Sequence, residues 1–369
     1  MDDIRELLKW VNQKITLKRL ALLAIGCVFL NSFLHNNFRP MELKDGNFPL
    51  ELKWSAKMSD KVYAFSTSEN GIIFAQSPYS LNALDASSGK LLWKFLTKGG
   101  TSSSSALNGI VYVCDKTSLY ALNENNGTKI WQQPLLLWNT GTIIGISEEI
   151  ILLNDSVGVL SAYKTQNGAF LWDTPTRKGE RDVAFIDTDN NIVYNFSYIA
   201  IQALDALTGK LIWQISDNQF EDGFYDNGMI FRAYDTGVNA FDIQSKSILW
   251  EKQMDTFDSY NAKYVSVDKN IIVTTPVTML SIQKTNGLVK WLKNYKYDIP
   301  NRPTIIKNQL FIMEGFSRII RVYDVNTGAE IGGLRISLPV FAAVDREEMI
   351  SVNNMLIFAN GKIVYSYGK

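Results

Sequence analysis

Seven of the nine tryptophans recur at a nearly constant interval. They stand at Trp54, Trp93, Trp131, Trp172, Trp213, Trp250 and Trp291, and one further step of the same size lands on Gly332. A period near 40 residues is the signature of stacked or ringed repeats, and it constrains the architecture before any single residue does. Around Trp93 the chain reads Leu81-Asn-Ala-Leu-Asp-Ala-Ser-Ser-Gly-Lys-Leu-Leu-Trp93; around Trp213 it reads Ile201-Gln-Ala-Leu-Asp-Ala-Leu-Thr-Gly-Lys-Leu-Ile-Trp213. The copy is a hairpin: a short strand, in the clearest copies an aspartate able to bind turn amides, a glycine four residues later for positive φ, and a strand bearing the tryptophan. Gly89, Gly127, Gly168, Gly209, Gly287 and Gly328 hold the turn position. Lys246 takes it once, which predicts a rebuilt or mildly strained turn there.

Two more strand-like runs precede each hairpin, as in Gly109-Ile-Val-Tyr-Val113 and Gln309-Leu-Phe-Ile-Met313, and helical periodicity is absent after residue 45. Four short strands per unit, repeated around a ring, describe an all-β propeller. The ends fix the count. Leu50–Trp54 has a tryptophan strand with no three strands before it, whereas residues 349–367 supply three strands and no fourth. Letting the first complete the second leaves no open blade edge and predicts an eight-bladed propeller over 46–369, its last blade closed by an N-terminal strand.

Residues 1–45 read differently. Ile4, Leu7, Leu8, Val11 and Ile15 form an amphipathic stripe, Lys18-Arg19 follow, and residues 20–34 are almost wholly apolar. That run suits a short signal anchor or the core of a signal peptide better than a full-length span. The excess of Lys9, Lys14, Lys18 and Arg19 over Arg39 and Lys44 predicts a cytoplasmic N-terminus, a hydrophobic helix, a linker and an extracytoplasmic propeller. An uncleaved single-pass anchor ranks first and cleavage second. A lipoprotein, through Ala24-Ile25-Gly26-Cys27, ranks third.

Composition removes several chemistries. His35 is the only histidine and precedes the repeats, so a histidine triad or histidine-ligated zinc in the body is not expected. The 37 basic and 37 acidic residues cancel, which leaves no electrostatic footprint for nucleic acid. Asp217, Glu221, Asp222 and Asp226 lack the spacing of a calcium loop. Asp187, Asp189 and Asn190 read as a turn, and Thr101-Ser-Ser-Ser-Ser105 as a flexible polar connection.

The Ala-Leu-Asp…Gly-Lys…Trp pattern resembles the repeat of the pyrroloquinoline-quinone-type propellers over residues 48–369. The resemblance implies that Trp54, Trp93, Trp131, Trp172, Trp213, Trp250 and Trp291 dock between neighbouring blades. It also implies that the interface beyond Gly332 is looser or filled from elsewhere. In size and layout the chain is similar to the BamB-like outer-membrane assembly factors of that family. These are scaffolds without catalysis, which implies protein partners, a membrane assembly complex among them, and no cofactor. The family's quinoprotein dehydrogenases carry adjacent cysteines; here Cys27 and Cys114 are far apart. A non-enzymatic, membrane-tethered interaction scaffold is therefore the first reading, with a quinoprotein-like redox domain and an extracytoplasmic sensor as alternatives. Aromatics and arginines in the loops from one blade's outer strand to the next blade's inner strand form the candidate partner face: Trp138, Arg177, Arg181, Phe257, Tyr260, Tyr295, Tyr297 and Arg302.

Overall fold

In a computed structural model, the structure describes residues 41–42 and 48–369, except 136–140, 156–158, 176–182, 198–199, 217–221, 235, 255–256, 258–261, 295–301, 315–318 and 337–348. The predicted N-terminal helix lies outside the described residues. Among them, no helix is long and apolar enough to cross a membrane.

Each repeat folds into an antiparallel four-stranded meander, and eight such sheets are present. Blade 1 comprises Ala64–Thr67, Ile72–Ser77, Ser80–Asp85 and Leu91–Leu96, from the inner to the outer strand. Blades 2 to 7 repeat this order over 101–134, 142–175, 183–216, 222–253, 263–294 and 304–335. Blade 8 combines Met349–Val352, Met355–Asn360 and Ile363–Gly368 with Glu51–Lys57, which pairs antiparallel to Ile363–Gly368 as the outer strand. An N-terminal strand thus closes the ring.

The second and third strands of each blade are covered by a neighbouring blade on both faces, so they are buried without alternation; all six residues of Ile72–Ser77 are buried. The outer strands alternate, because only one side chain in two reaches a seam. The core is consequently divided. Eight apolar clusters each occupy one blade-to-blade seam, as with Phe74, Ala83, Trp93, Val111 and Leu122 between blades 1 and 2. Blade 8 closes onto blade 1 through Trp54, Val62, Leu84, Ile357 and Val364.

Two segments differ from the sequence reading. Thr101–Leu107 is the inner strand of blade 2 rather than a flexible connection. Two of its hydroxyls are satisfied by adjacent inner strands: the Ser66 and Ser104 hydroxyls lie 2.7 Å apart, and Ser103 Oγ accepts the Ile143 amide at 2.7 Å. Serine-rich composition resembles a loop only while those partners are unknown. Met41–Glu42, read as linker, pairs with Leu334 and Arg335 as a fifth strand on blade 7.

Candidate functional site

The repeat grammar is explained at the seams. Six indoles among the described residues donate Nε1–H to a backbone carbonyl in the next blade's hairpin turn: Trp54 to Ala86, Trp93 to Glu124, Trp131 to Thr165, Trp172 to Ala206, Trp250 to Lys284 and Trp291 to Val325, at 2.7–3.0 Å. The turn glycine lies flat on the ring. A Cβ at Gly89 would sit 2.4 Å from Trp54 Cε3, and one at Gly209 would sit 2.6 Å from Trp172 Cδ2. Glycine is therefore required twice over, for its positive φ and for the close approach of the indole.

The two departures from the pattern are resolved differently. Lys246 holds the turn at φ 54° and carries its ammonium over the Trp213 ring, 5.3 Å from the centroid. Gly332 faces a blade whose third and outer strands, Ile363–Gly368 and Glu51–Lys57, share no local hairpin turn. Phe48 fills that seam instead, packed against Phe311 and Tyr367 and only 7% exposed.

A second feature sits on the perimeter and escaped the sequence reading. In all eight outer strands the ladder slips by one residue immediately before the tryptophan position, a β-bulge at Lys53, Leu92, Ile130, Leu171, Ile212, Leu249, Lys290 and Ile331. The bulge rotates the strand so that the tryptophan turns into the seam while the preceding residues face outward. Leu91, Leu92, Ile130, Leu211, Ile212, Ile248, Leu249 and Ile331 are all more than 40% exposed. The sequence signal was present as the paired apolar residues before Trp93, Trp172, Trp213 and Trp250, which the alternation rule alone reads as half-buried.

Of the candidate partner-face residues, Trp138, Arg177, Arg181, Tyr260, Tyr295 and Tyr297 lie outside the described residues. Phe257 is half-buried against the cluster between blades 5 and 6, and Arg302 is exposed. Asp217 and Glu221 also lie outside, while Asp226 forms an ion pair with Lys284 of blade 6 at 2.5 Å. Asp187 accepts from the Asn190 amide and side chain and from the Tyr225 hydroxyl, which closes a turn. Among the described residues, no three metal-ligating side chains gather.

Two kinds of group that the quinone of the family's dehydrogenases would call on are engaged elsewhere among the described residues. Their repeat tryptophans are committed to the seams on the outer strands, and Cys114 is fully buried in the second strand of blade 2, inside the seam with blade 3.

Fold and seams define an eight-bladed propeller of the pyrroloquinoline-quinone-repeat class. The model of the family described as outer membrane protein assembly factor BamB matches residues 51–194 and 156–352, and the chain belongs to that family. No curated protein matches significantly in sequence. Among solved structures, BamB from Moraxella catarrhalis superposes with a TM-score of 0.67 at 13% identity, covering 87% of this chain and 100% of that one. The computationally designed protein Ika8 gives 0.67 at 14%, covering 89% and 99%. The quinohemoprotein alcohol dehydrogenase ADHIIG from Pseudomonas putida HK5 gives 0.64 at 13%, covering 91% and 79%. At these identities the likeness is one of fold.

Proposed function

We propose that this chain is a protein-interaction scaffold of the outer-membrane assembly-factor type, held at a membrane by its N-terminal segment with the propeller outside the cytoplasm. The observation that carries the scaffold reading is the perimeter. Adjacent exposed apolar pairs, Leu91-Leu92, Leu211-Ile212 and Ile248-Leu249, stand on bulged outer strands whose free edges face solvent. Exposed apolar surface of this kind marks a docking site, since burying it releases about 25 cal/mol per Å². The bulges keep the edges from pairing indiscriminately with other strands, so the side chains carry the recognition. The apolar run 20–34 behind Lys18-Arg19 supports the tether.

The test is site-specific photo-crosslinking in the native host at Ile212 on the perimeter and at Arg302 on the loop face, followed by identification of the adduct. A discrete adduct from Ile212 that disappears in a Leu211→Glu/Ile212→Glu variant with unchanged stability supports the perimeter. An adduct from Arg302 alone moves the interface to the loop face. No adduct from either position defeats the scaffold reading. Membrane fractionation of the full chain and of one lacking residues 1–45 tests the tether separately.

A further inference from the structure

The first residue of the turn, which follows Asp85, Asn123, Lys164, Asp205, Gln283 or Asp324 and whose carbonyl accepts the indole, changes along the ring: Ala86, Glu124, Thr165, Ala206, Lys284 and Val325. Two of these are charged, and the molecule treats them differently. At the seam of blades 5 and 6, Lys284 is fully partnered. Its ammonium pairs with Asp226 at 2.5 Å and donates to Ser266 Oγ at 2.7 Å and to the Asp268 carbonyl at 2.9 Å.

At the seam of blades 1 and 2 the equivalent residue is Glu124, with Ala106 in the place of Ser266 and Asn108 in the place of Asp268. Asn108 and Asp268 share a left-handed backbone, φ 50° and 47°. Glu124 is fully buried; its Oε1 accepts from the exposed Asn70 amide, and its Oε2 has no partner. A cleft of about 300 Å³ lies against it, lined by Ser68, Glu69, Asn70, Asn108 and Glu124 among others. A buried carboxylate oxygen without a donor is costly to keep and calls for a counterpart.

We propose that this cleft is a binding site for a primary ammonium group, carried on a lysine side chain or on a free amine. The seam between blades 5 and 6 shows the chemistry that completes such a position: one ammonium bridging a carboxylate and the carbonyl of the left-handed residue. At the seam of blades 1 and 2 that ammonium comes from outside the chain. It meets Glu124 Oε2, with Glu69 adding negative charge at the mouth, and reaches it when the exposed Asn70 side chain swings aside. Free amines have room in the cleft, and a lysine enters with its apolar stem against Leu107.

The reporter is built in, because Trp93 Nε1–H donates to the Glu124 carbonyl at 2.7 Å. The experiment follows the Trp93 indole resonance of the full-length, ¹⁵N-tryptophan-labelled protein, assigned with Trp93→Phe, during titration with n-butylamine, with Nα-acetyl-lysine methylamide and with its Nε-acetylated form. Saturable movement is expected with the first two and none with the third. Preference for the lysine derivative identifies a protein side chain as the source, and preference for butylamine a free amine. Glu124→Gln, which preserves shape and the Asn70 contact, should weaken binding by roughly ten- to a hundredfold, the range of a hydrogen bond to a charged group. Asn70→Ala should tighten it. The proposal is overturned by no saturable movement, by equal movement with the Nε-acetylated probe, by retention in Glu124→Gln, or by calcium moving the resonance where amines do not.

Discussion

Phe48 meets Phe311 edge-on, with ring centroids 6.0 Å apart and planes at 73°. In blades 1, 2, 4 and 5 the same second-strand position holds Phe74, Tyr112, Tyr194 and Phe231, each 5.9–6.2 Å from its own blade's tryptophan. Blade 7 has Gly332 where that tryptophan would stand, so a residue from the N-terminal segment supplies the missing ring. The seam between blades 7 and 8 is thus sealed by the segment that also provides the closing strand.

Phe48→Ala should destabilise the protein by about 3–5 kcal/mol, the usual range for emptying a buried phenylalanine site. Phe311→Ala should couple with it. In a double-mutant cycle read by denaturant unfolding, the pair is expected to share about 0.5–1.5 kcal/mol beyond the single losses, as ring pairs do. Additivity within error would mean that Phe48 covers the seam without acting as the tryptophan's replacement.

The turn positions separate conformation from packing. Gly209→Ala forces a left-handed alanine and drives its Cβ into Trp172, so a loss of about 3 kcal/mol is expected from the two effects together. Lys246→Gly should leave stability within about 1 kcal/mol of the parent. Relief of the left-handed backbone is offset by the lost contact over Trp213 and by a freer unfolded chain. Matched urea melts check both; a Lys246→Gly loss as large as that of Gly209→Ala would remove the distinction.

The ion pair between blades 5 and 6 should behave as a buried one. Lys284→Met leaves Asp226 without its ammonium and is expected to destabilise by about 3 kcal/mol, whereas Lys284→Met combined with Asp226→Leu should recover most of that loss. Thermal unfolding at low and high salt is the measurement, and strong salt sensitivity in the parent protein would mark the pair as a screened surface contact instead.

Alkaline pH should loosen the ring. Burial pushes the phenols of Tyr63, Tyr163 and Tyr194 up to about 12, from an ordinary value near 10. Between those values the folded protein keeps protons that the unfolded chain has released, so stability present below pH 10 is lost as pH rises toward 12. Burial lowers the Arg232 guanidinium to about 10, which acts in the opposite sense over the same range, but it is one group against three. Denaturant midpoints from pH 9 to 12, followed with tyrosinate absorbance, should fall; a flat profile would show that these phenols ionise without unfolding.

Local covalent pattern determined the repeat, the blade count and the ring closure. Each depends on spacing that a linear reading captures: the aspartate, the glycine and the tryptophan of one hairpin. The loop residues offered as a partner face were legible only as composition, and the serine-rich inner strand of blade 2 was misread for the same reason. Whether Ser103 and Ser104 are solvated or paired depends on blades 1 and 3, which the segment itself does not encode.

The tertiary structure decided what spacing could not. It placed Phe48 where the eighth tryptophan is absent, turned Leu91-Leu92, Leu211-Ile212 and Ile248-Leu249 outward beside their bulges, and gave Lys284 three partners while leaving one oxygen of Glu124 with none. These are properties of pairs distant in sequence, created when eight sheets close and neighbouring blades exclude water from the seams between them. A repeat specifies its own hairpin, but the chemistry of each seam is set by two repeats together.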